Sequence, residues 1–450
     1  MTPQDRELVT SIPGPVSREL RAREDVHLAP GTQGYALLAG VAVDHAQGST
    51  ITDVDGNTIL DFIGGIGVGS IGHSHPTWVE AITTQAARAS IGSLTSTARV
   101  ELLERFAEHP PAPGLRRLQL YSGGAEAVES ALRLAKAATG KHEVVSCWGG
   151  FHGKTMGALS LMGSTFKHGL GPMVPGSHLV PYADCYRCPI GSSYPVCGLG
   201  CVELARKTIK LETTGAVAAV IVEPMQGTAG NVVPPPEFMP AMRSLADEAQ
   251  ALLIADEMIT GLGRTGRWWG TDHTGVTPDI VTIGKAIGGG FPLSALATTD
   301  ELANTRPWAN PSGSSSSYGG HPLAAAAGAA ALKIIEEESL VERSRSVGAA
   351  MLLELAGWVD RYPFVGAVRG RGMFLAIELV SDKRTRAPLA RPITERIFQA
   401  CLQRGLLAMT YAASVRIQPP LTMDRATALN GLGILREVFD VVASEGWWRA

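Results

Sequence analysis

Lys285 follows a run of β-branched residues and precedes a cluster of glycines within residues 279–292. A buried strand that ends at a Gly-rich turn places its last side chains at the carboxyl edge of a sheet, where α/β proteins bind ligands. Apolar residues precede this lysine, which favours a lowered pKa and an amine that can form a Schiff base with a carbonyl group. A lysine in this position is also common as a solvated strand end, so the motif alone leaves both interpretations open.

A second strand-like run, residues 251–255, ends in two carboxylates, Asp256 and Glu257. Asp256 precedes Lys285 by 285 − 256 = 29 residues, about the length of one strand–crossover–strand unit. The sequence therefore predicts that Asp256 and Lys285 lie at one edge of one sheet.

The third feature is a turn between residues 115–121, which predict a strand, and a helical stretch that extends to about residue 138. Gly123, Gly124 and Ala125 lie in the turn. Free backbone amides and the positive end of the helix suit a phosphate group. The pattern is neither a Walker motif nor a Rossmann glycine motif, which argues against a nucleotide. Turns of this kind are also common without a ligand.

The bulk properties exclude several classes of protein. The 450 residues predict two or three domains, and the formal net charge of −3 gives no electrostatic basis for binding nucleic acid or an anionic membrane. No apolar run reaches about 18 residues, so no transmembrane helix is expected. Residues 1–7 are polar and lack the order of a signal peptide, and we therefore expect a cytoplasmic protein.

Four of the six cysteines form a compact cluster in the sequence: Cys185, Cys188, Cys197 and Cys201. Two close pairs can form a tetrahedral zinc site. A surface loop with reduced thiols is the alternative, and the short spacer with nearby proline and glycine favours it. We assign no metal from the sequence.

Two of these stretches carry a family resemblance. Residues 253–266 and 284–293 are similar to the two signature stretches of class III aminotransferases, which depend on pyridoxal 5′-phosphate (PLP) and have fold type I. The resemblance covers roughly residues 13–440. It implies an α/β fold, in which a large domain has a mostly parallel seven-stranded sheet between helices and a smaller α/β domain is built from both termini. The expected bounds are 1–65 for the amino-terminal arm and part of the small domain, 66–325 for the large PLP-binding domain, and 326–450 for the carboxyl-terminal small domain.

The resemblance also implies roles for individual residues. Lys285 would form the Schiff base and transfer the proton, while Asp256 would keep the pyridine nitrogen protonated. Arg416 would bind the substrate carboxylate, and Ser317 would reach the phosphate of the neighbouring subunit in a homodimer with shared active sites. The remaining positions implied for cofactor binding are Gly123, Gly124, Ala125, Phe151, His152, Glu223 and Met258; for His152 the sequence favours holding the turn over contacting the cofactor.

Three positions depart from the family pattern. Ala125 replaces the usual Ser or Thr, so a hydroxyl contact to phosphate is lost. Many members that act on ω-amino acids have a glutamate at the position of Thr228 and a glutamine at that of Ile259. These departures argue against a simple assignment as a 4-aminobutyrate or ornithine enzyme.

The expected function is transfer of an amino group from a primary amine or amino acid to a keto acid, aldehyde or ketone. The substrate class is an ω-amino acid, an amine or an amino sugar of secondary metabolism. The alternative is a PLP-dependent racemase or epimerase of the same fold. A non-catalytic binding protein and a metal-dependent hydrolase that uses the cysteines are weaker hypotheses.

Overall fold

A computed structural model describes residues 8–449. The polar start of the chain, residues 1–7, on which the expectation about a signal peptide depends, lies outside the described residues. The chain forms two compact units: the small unit comprises the described residues up to His75 and from Glu342 onward, and the large unit comprises Pro76–Val341. This division differs from the expected bounds after residues 65 and 325, because the helix that begins at Pro322 packs on helices that begin at Pro76 and Thr97.

The strands of the described chain are β1 Val43–Gln47, β2 Thr50–Asp53, β3 Thr58–Asp61, β4 Arg117–Tyr121, β5 Glu143–Cys147, β6 Ser177–Val180, β7 Val217–Val222, β8 Leu252–Asp256, β9 Ile280–Ile283, β10 Ser294–Thr298, β11 Val365–Arg371, β12 Phe374–Asp382, β13 Ala387–Pro388, β14 Leu406–Leu407 and β15 Ser414–Ile417.

The helices are α1 Pro15–Asp25, α2 Gly34–Ala39, α3 Gly64–Gly67, α4 Pro76–Ala86, α5 Thr97–Glu108, α6 Gly124–Thr139, α7 Met156–Ser160, α8 Gly200–Glu212, α9 Phe238–Glu248, α10 Asp300–Ala303, α11 Pro322–Glu337, α12 Leu340–Leu355, α13 Trp358–Arg361, α14 Arg391–Leu402 and α15 Arg425–Ser444. No helix within residues 8–449 is long and apolar enough to cross a membrane.

The large unit contains a seven-stranded sheet with the order β4-β10-β9-β8-β7-β5-β6. β10 is antiparallel to both of its neighbours, and the other adjacent strands are parallel. The predicted mostly parallel seven-stranded sheet is therefore confirmed. Every residue of β5, β7, β9 and β10 is buried, as expected for strands covered on both faces.

The helix α6 packs on this sheet through small residues. Ala127, Ala131 and Ala135 are fully buried on one face of the helix and belong to a core with residues of β7, β8 and β9. Alanine favours the helix and allows close approach to the sheet. This packing fixes the direction of α6, whose amino terminus lies just after the carboxyl end of β4.

The small unit contains a β-hairpin: β2 and β3 pair in antiparallel fashion, with Thr52 opposite Thr58, and Asp55 and Gly56 lie in the turn between them. β1 and β14 complete that sheet. In a second sheet, β12 pairs with β11, β13 and β15. The carboxyl-terminal strands and the amino-terminal hairpin thus belong to one unit, as the sequence predicted for the smaller α/β domain.

Candidate active site

Lys285 and Asp256 lie at the carboxyl edge of two neighbouring parallel strands. In the register of β8 with β9, Asp256 stands opposite Thr282, and Lys285 follows three residues later. The segment between these strands contains only a short 3₁₀ turn, Thr271–His273, so no α-helix forms the crossover. The predicted common edge is confirmed.

The backbone at Lys285 is in the left-handed region, with φ of 48°. This conformation is uncommon for a residue with a side chain, and such residues are concentrated at functional sites. Lys285 is half-buried and begins a single 3₁₀ turn, Lys285–Gly288. The lysine therefore leaves the sheet at a sharp turn and does not continue the strand.

Asp256 forms a buried pair with His152, with 2.6 Å between Asp256 Oδ2 and His152 Nδ1. Both side chains are 1% exposed. Asp256 Oδ1 accepts a hydrogen bond from the backbone amide of Met258 at 3.1 Å. Burial lowers the pKa of His152, but the hydrogen bond and charge of Asp256 outweigh burial and raise the pKa above its ordinary value. The two hydrogen bonds fix the carboxyl group of Asp256 at this edge of the sheet.

His152 also has a ring nitrogen without a partner. Its Nε2 atom is buried and makes no hydrogen bond within the described chain. Buried polar atoms are normally paired, and an exception is informative at a ligand site. His152 therefore makes one hydrogen bond, from Nδ1 to Asp256, and its Nε2 atom is available to a bound group.

Glu223 is buried at the end of β7. Its Oε1 accepts the amide of Phe151 at 2.9 Å, and its Oε2 accepts the amide of Gly227 at 2.9 Å. Burial raises the pKa of Glu223 to about 7; the charge of His152 and the two amides oppose the increase, while the charge of Asp256 adds to it. The carboxyl group joins two loops at the same sheet edge.

The predicted anion turn forms at the amino terminus of α6. Gly123 is the N-cap residue, and the amides of Ser122 and Gly123 donate to Glu126 Oε2 at 3.1 and 2.8 Å. The amides of Gly124 and Ala125 have no hydrogen-bond acceptor among residues 8–449. Two donors therefore remain for an anion, whereas the amide of Gly123 is used by the protein. The glutamate three residues after the N-cap is a sequence signal of a capping box that could have predicted this use.

Small residues line the space around these groups. A Cβ atom at Gly124 would lie 2.9 Å from the sulfur of Met258, and one at Gly284 would lie 2.5 Å from the same atom. A Cβ atom at Gly153 would lie 2.6 Å from the Cβ atom of Ala125. Met258 thus lies between the anion turn and the residue before Lys285.

Phe151 is half-buried and contacts Phe166 edge to face, with 5.7 Å between ring centroids.

Ile259 and Thr228, two of the positions that depart from the family pattern, have different environments. Ile259 is 8% exposed, and a Cβ atom at Gly227 would lie 3.2 Å from its side chain, whereas Thr228 is exposed.

Two further predicted residues belong to other segments of the chain. Ser317 is exposed in the loop before α11. Arg416 belongs to the small unit, where it is half-buried on β15 opposite Ala376 of β12. Their assigned roles remain predictions.

The four clustered cysteines are free thiols; Cys201 is buried and the other three are partly buried. Burial, followed by the neighbouring thiols Cys197, Cys201 and Cys188, raises the pKa of Cys185 to about 11. Among the described residues, a group of side chains elsewhere could hold a metal ion together. Glu108, His109 and Glu336 form this group, with potential ligand atoms within 4.8 Å of one another, but none of the three is buried. The four sulfurs do not form such a set, and no metal is assigned.

Comparison with known proteins identifies the family. The model of the family described as aminotransferase class III matches residues 32–439. The chain belongs to the class III aminotransferases. The predicted family is therefore confirmed, and so is the prediction of a PLP-dependent enzyme of fold type I.

Relatives of this class III aminotransferase include enzymes with different named activities. The chain is 34% identical to the 5-aminovalerate aminotransferase DavT of Pseudomonas aeruginosa, over 91% of this chain and 96% of that protein. It is 32% identical to a leucine/methionine racemase of Thermococcus litoralis, over 90% of this chain and 92% of that protein. A PLP-bound amine transaminase from an uncultivated Pseudomonas species has a TM-score of 0.85 and 32% identity, over 92% of this chain and 98% of that one.

The site of this class III aminotransferase fits PLP. Two unpaired amides at a helix amino terminus suit its phosphate. The carboxylate of Asp256 suits a protonated ring nitrogen. The unpartnered Nε2 atom of His152 is a buried polar atom available to a bound group. Glycine at 124, 153 and 284 lets the turns around these groups approach closely, because an added Cβ atom would lie within 2.9 Å of Met258 or Ala125.

Proposed function

We propose that this class III aminotransferase uses Lys285 as its catalytic amine and Asp256 as the partner of the PLP ring. The observation that carries the proposal is the parallel register of β8 and β9, which brings both residues to one edge of the sheet. The anion turn at the start of α6 lies at the same edge of the sheet. It follows Tyr121, the last residue of β4, and both Tyr121 and Ile283, the last residue of β9, pair with the first residues of β10.

When bound, PLP supplies an aldehyde that captures an amine and a ring that accepts the electron pair left when the substrate carbon loses its proton. Lys285 would hold this group and would move the proton as general acid and base. Asp256, held in place by His152, would stabilise a proton on the ring nitrogen. The amides of Gly124 and Ala125 bind the phosphate, and the side chains of Phe151 and Met258 cover the ring and exclude water.

The substrates are a primary amine or amino acid as donor and a keto acid, aldehyde or ketone as acceptor. The relative DavT is named for an ω-amino acid, which supports that substrate class. Arg416 binds the carboxylate of the acid by a two-point contact. The exposed Thr228 and the apolar Ile259 replace polar groups of the ω-amino-acid enzymes, so we also include amines and amino-sugar carbonyls of secondary metabolism.

The enzyme acts as a homodimer in the cytoplasm, and Ser317 of each subunit reaches the phosphate of the other. The exposure of Ser317 supports this role, because a side chain that serves a neighbouring subunit must be accessible from outside its own. Active sites of this kind lie at a twofold interface, so the dimer is required for activity.

Racemisation is the second candidate function, and the relative from Thermococcus litoralis supports it. The same lysine and aspartate would serve, because a racemase removes the same proton and returns one to the opposite face of the carbon. Transfer ranks first because the family and most of the similar proteins carry that name.

A donor screen tests the proposal. The PLP-loaded enzyme is mixed with ω-amino acids, α-amino acids and amines; absorbance reports conversion to the pyridoxamine form, and mass spectrometry identifies the carbonyl product. Donor-dependent conversion supports transfer, while inversion of an amino acid without consumption of a keto acid supports racemisation. Lys285→Ala should abolish turnover and the absorbance of the lysine-bound cofactor; full activity in this variant would overturn the proposal.

A further inference from the structure

Two loops at the sheet edge are joined by buried side chains. We call residues 148–153, which follow β5, the aromatic loop, and residues 223–230, which follow β7, the glutamate loop. Glu223 accepts the amides of Phe151 and Gly227, each at 2.9 Å. Gln226 donates from Nε2 to the carbonyl oxygen of Trp148 at 2.8 Å. The glutamate loop thus binds the backbone of the aromatic loop at two points.

These contacts are shielded from water. Glu223 is 5% exposed and Gln226 is 2% exposed. A carboxylate that accepts backbone amides in a buried site makes stronger hydrogen bonds than neutral groups in water do. The aromatic loop also approaches Gln226 closely: a Cβ atom at Gly149 would lie 2.9 Å from Gln226 Oε1, and Gly149 has φ of 76°.

The aromatic loop is bound on its other side by Asp256. His152, next to Phe151 in the chain, makes the 2.6 Å contact with Asp256. The loop is therefore held by a carboxylate from β7 and by a carboxylate from β8, and the Phe151 side chain leaves the backbone between these two supports.

We propose that Glu223 is a positioning residue: through the amides of Phe151 and Gly227, it fixes the aromatic loop at the PLP site. This inference rests on the proposed function. Each oxygen of Glu223 accepts a protein amide, so this role does not require the contact with the cofactor that the resemblance implies. Gln226 reinforces the same connection.

Loss of the Glu223 carboxylate has a specific consequence. The amides of Phe151 and Gly227 lose their acceptor, and the aromatic loop gains freedom while Lys285 and Asp256 keep their positions on β9 and β8. Binding and orientation of PLP should therefore suffer more than the chemical step at saturating PLP.

Amide hydrogen exchange of the cofactor-free protein tests the connection directly. In Glu223→Ala, we expect exchange about tenfold faster in the aromatic and glutamate loops, because each amide loses a buried hydrogen-bond acceptor. Exchange in β8 should be unchanged. Glu223→Gln keeps the size of the side chain and should give a smaller change in the same loops; this variant serves also if the alanine variant fails to fold.

Glu143 supplies the matched control. It is a second buried glutamate of the same sheet, and both of its carboxyl oxygens accept the amide of Thr214 at 3.0 Å. Glu143→Ala should accelerate exchange near Thr214 and leave the two loops unchanged. Unchanged exchange of both loops in Glu223→Ala and Glu223→Gln would overturn the proposal.

Cofactor binding gives the second readout. Glu223→Ala should weaken PLP binding about tenfold and change the circular dichroism of the bound cofactor, with a smaller effect on kcat at saturating PLP. Glu143→Ala should change neither quantity. Equal PLP affinity and dichroism in the two variants would overturn the inference and leave the proposed function intact. Absence of donor-dependent conversion in the natural enzyme would instead overturn the proposed function, while the exchange result would still decide the role of Glu223.

Discussion

At the scale of single residues, the site depends on three buried ionisable groups. Asp256 pairs with His152, and Glu223 lies close enough for its charge to act on both. Burial of several ionisable groups destabilises the folded chain unless the groups form hydrogen bonds or are neutralised. Here Asp256 and His152 share a hydrogen bond, and Glu223 accepts two backbone amides and has a raised pKa.

The raised pKa of Glu223 predicts a pH dependence of stability. The pKa is about 7 in the folded chain against an ordinary value of 4.5, so the folded chain binds more protons between these pH values. Protonation of Glu223 in the folded chain therefore adds to the free energy of unfolding. This contribution is present in full below pH 4.5 and is lost as the pH rises to about 7. Glu223→Gln cannot titrate, and urea unfolding of the cofactor-free variant should show a weaker decline over this range.

Glu143 provides the comparison for this measurement. Burial raises the pKa of Glu143, but hydrogen bonds from Thr214 and His178 outweigh it and lower the pKa below 4.5. Its contribution is therefore present above pH 4.5 and lost as the pH falls further. Glu143→Gln should leave the decline between pH 4.5 and 7 as in the natural protein; an unaltered decline in Glu223→Gln would contradict the assignment.

At the scale of elements, the site is built from the ends of strands and the start of one helix. β4, β5, β7, β8 and β9 each end at this edge, and a residue with a proposed role lies at or after the end of each strand. The turns that follow must approach one another closely, and glycine permits this where a side chain would collide. Gly153 shows both requirements, since its φ is 133° and it faces Ala125.

Gly153→Ala should therefore damage the cofactor site. The backbone strain should lower the free energy of unfolding by about 1–3 kcal/mol, and the contact with Ala125 should displace the anion turn and weaken PLP binding. Gly140→Ala is the control, because Gly140 has φ of 67° at the end of α6 with no atom within 4 Å of an added Cβ. That variant should lose about 1–2 kcal/mol and keep its PLP affinity. Thermal unfolding and a PLP titration distinguish the two; equal PLP affinity would exclude the proposed contact.

At the scale of the whole molecule, the proposed homodimer links two active sites. If Ser317 serves the phosphate of the neighbouring subunit, each site contains Lys285 from one subunit and Ser317 from the other. In a mixed dimer of one Lys285→Ala subunit and one Ser317→Ala subunit, both mutations then fall in the same site. One site of such a dimer keeps every required residue.

Subunit mixing tests this arrangement. Lys285→Ala should be inactive alone, and Ser317→Ala should bind PLP weakly. Mixed dimers of the two variants should recover one intact site, with up to half of the activity of the natural dimer per mixed dimer. Light scattering should give twice the mass of one chain. No recovery in verified mixed dimers would place Ser317 outside the partner's site.

The sequence alone determined the family, through two signature stretches, and the resemblance implied the mostly parallel sheet. The edge on which Asp256 and Lys285 lie followed from local patterns: apolar runs that form buried strands, glycines that end them, and the spacing of one strand from the next. The same patterns predicted the anion turn, because a strand, small residues and a helix start follow one another in the chain.

Only the tertiary structure decided how the side chains are paired. His152 and Asp256 are 104 residues apart, and Glu223 is 72 residues from Phe151, so no local pattern specifies their contacts. The structure also showed that the amide of Gly123 donates to Glu126 and that no α-helix connects β8 and β9. Hydrogen bonds are short-ranged and directional, and residues distant in sequence make them only after the packing of helices on the sheet has placed the strand ends side by side.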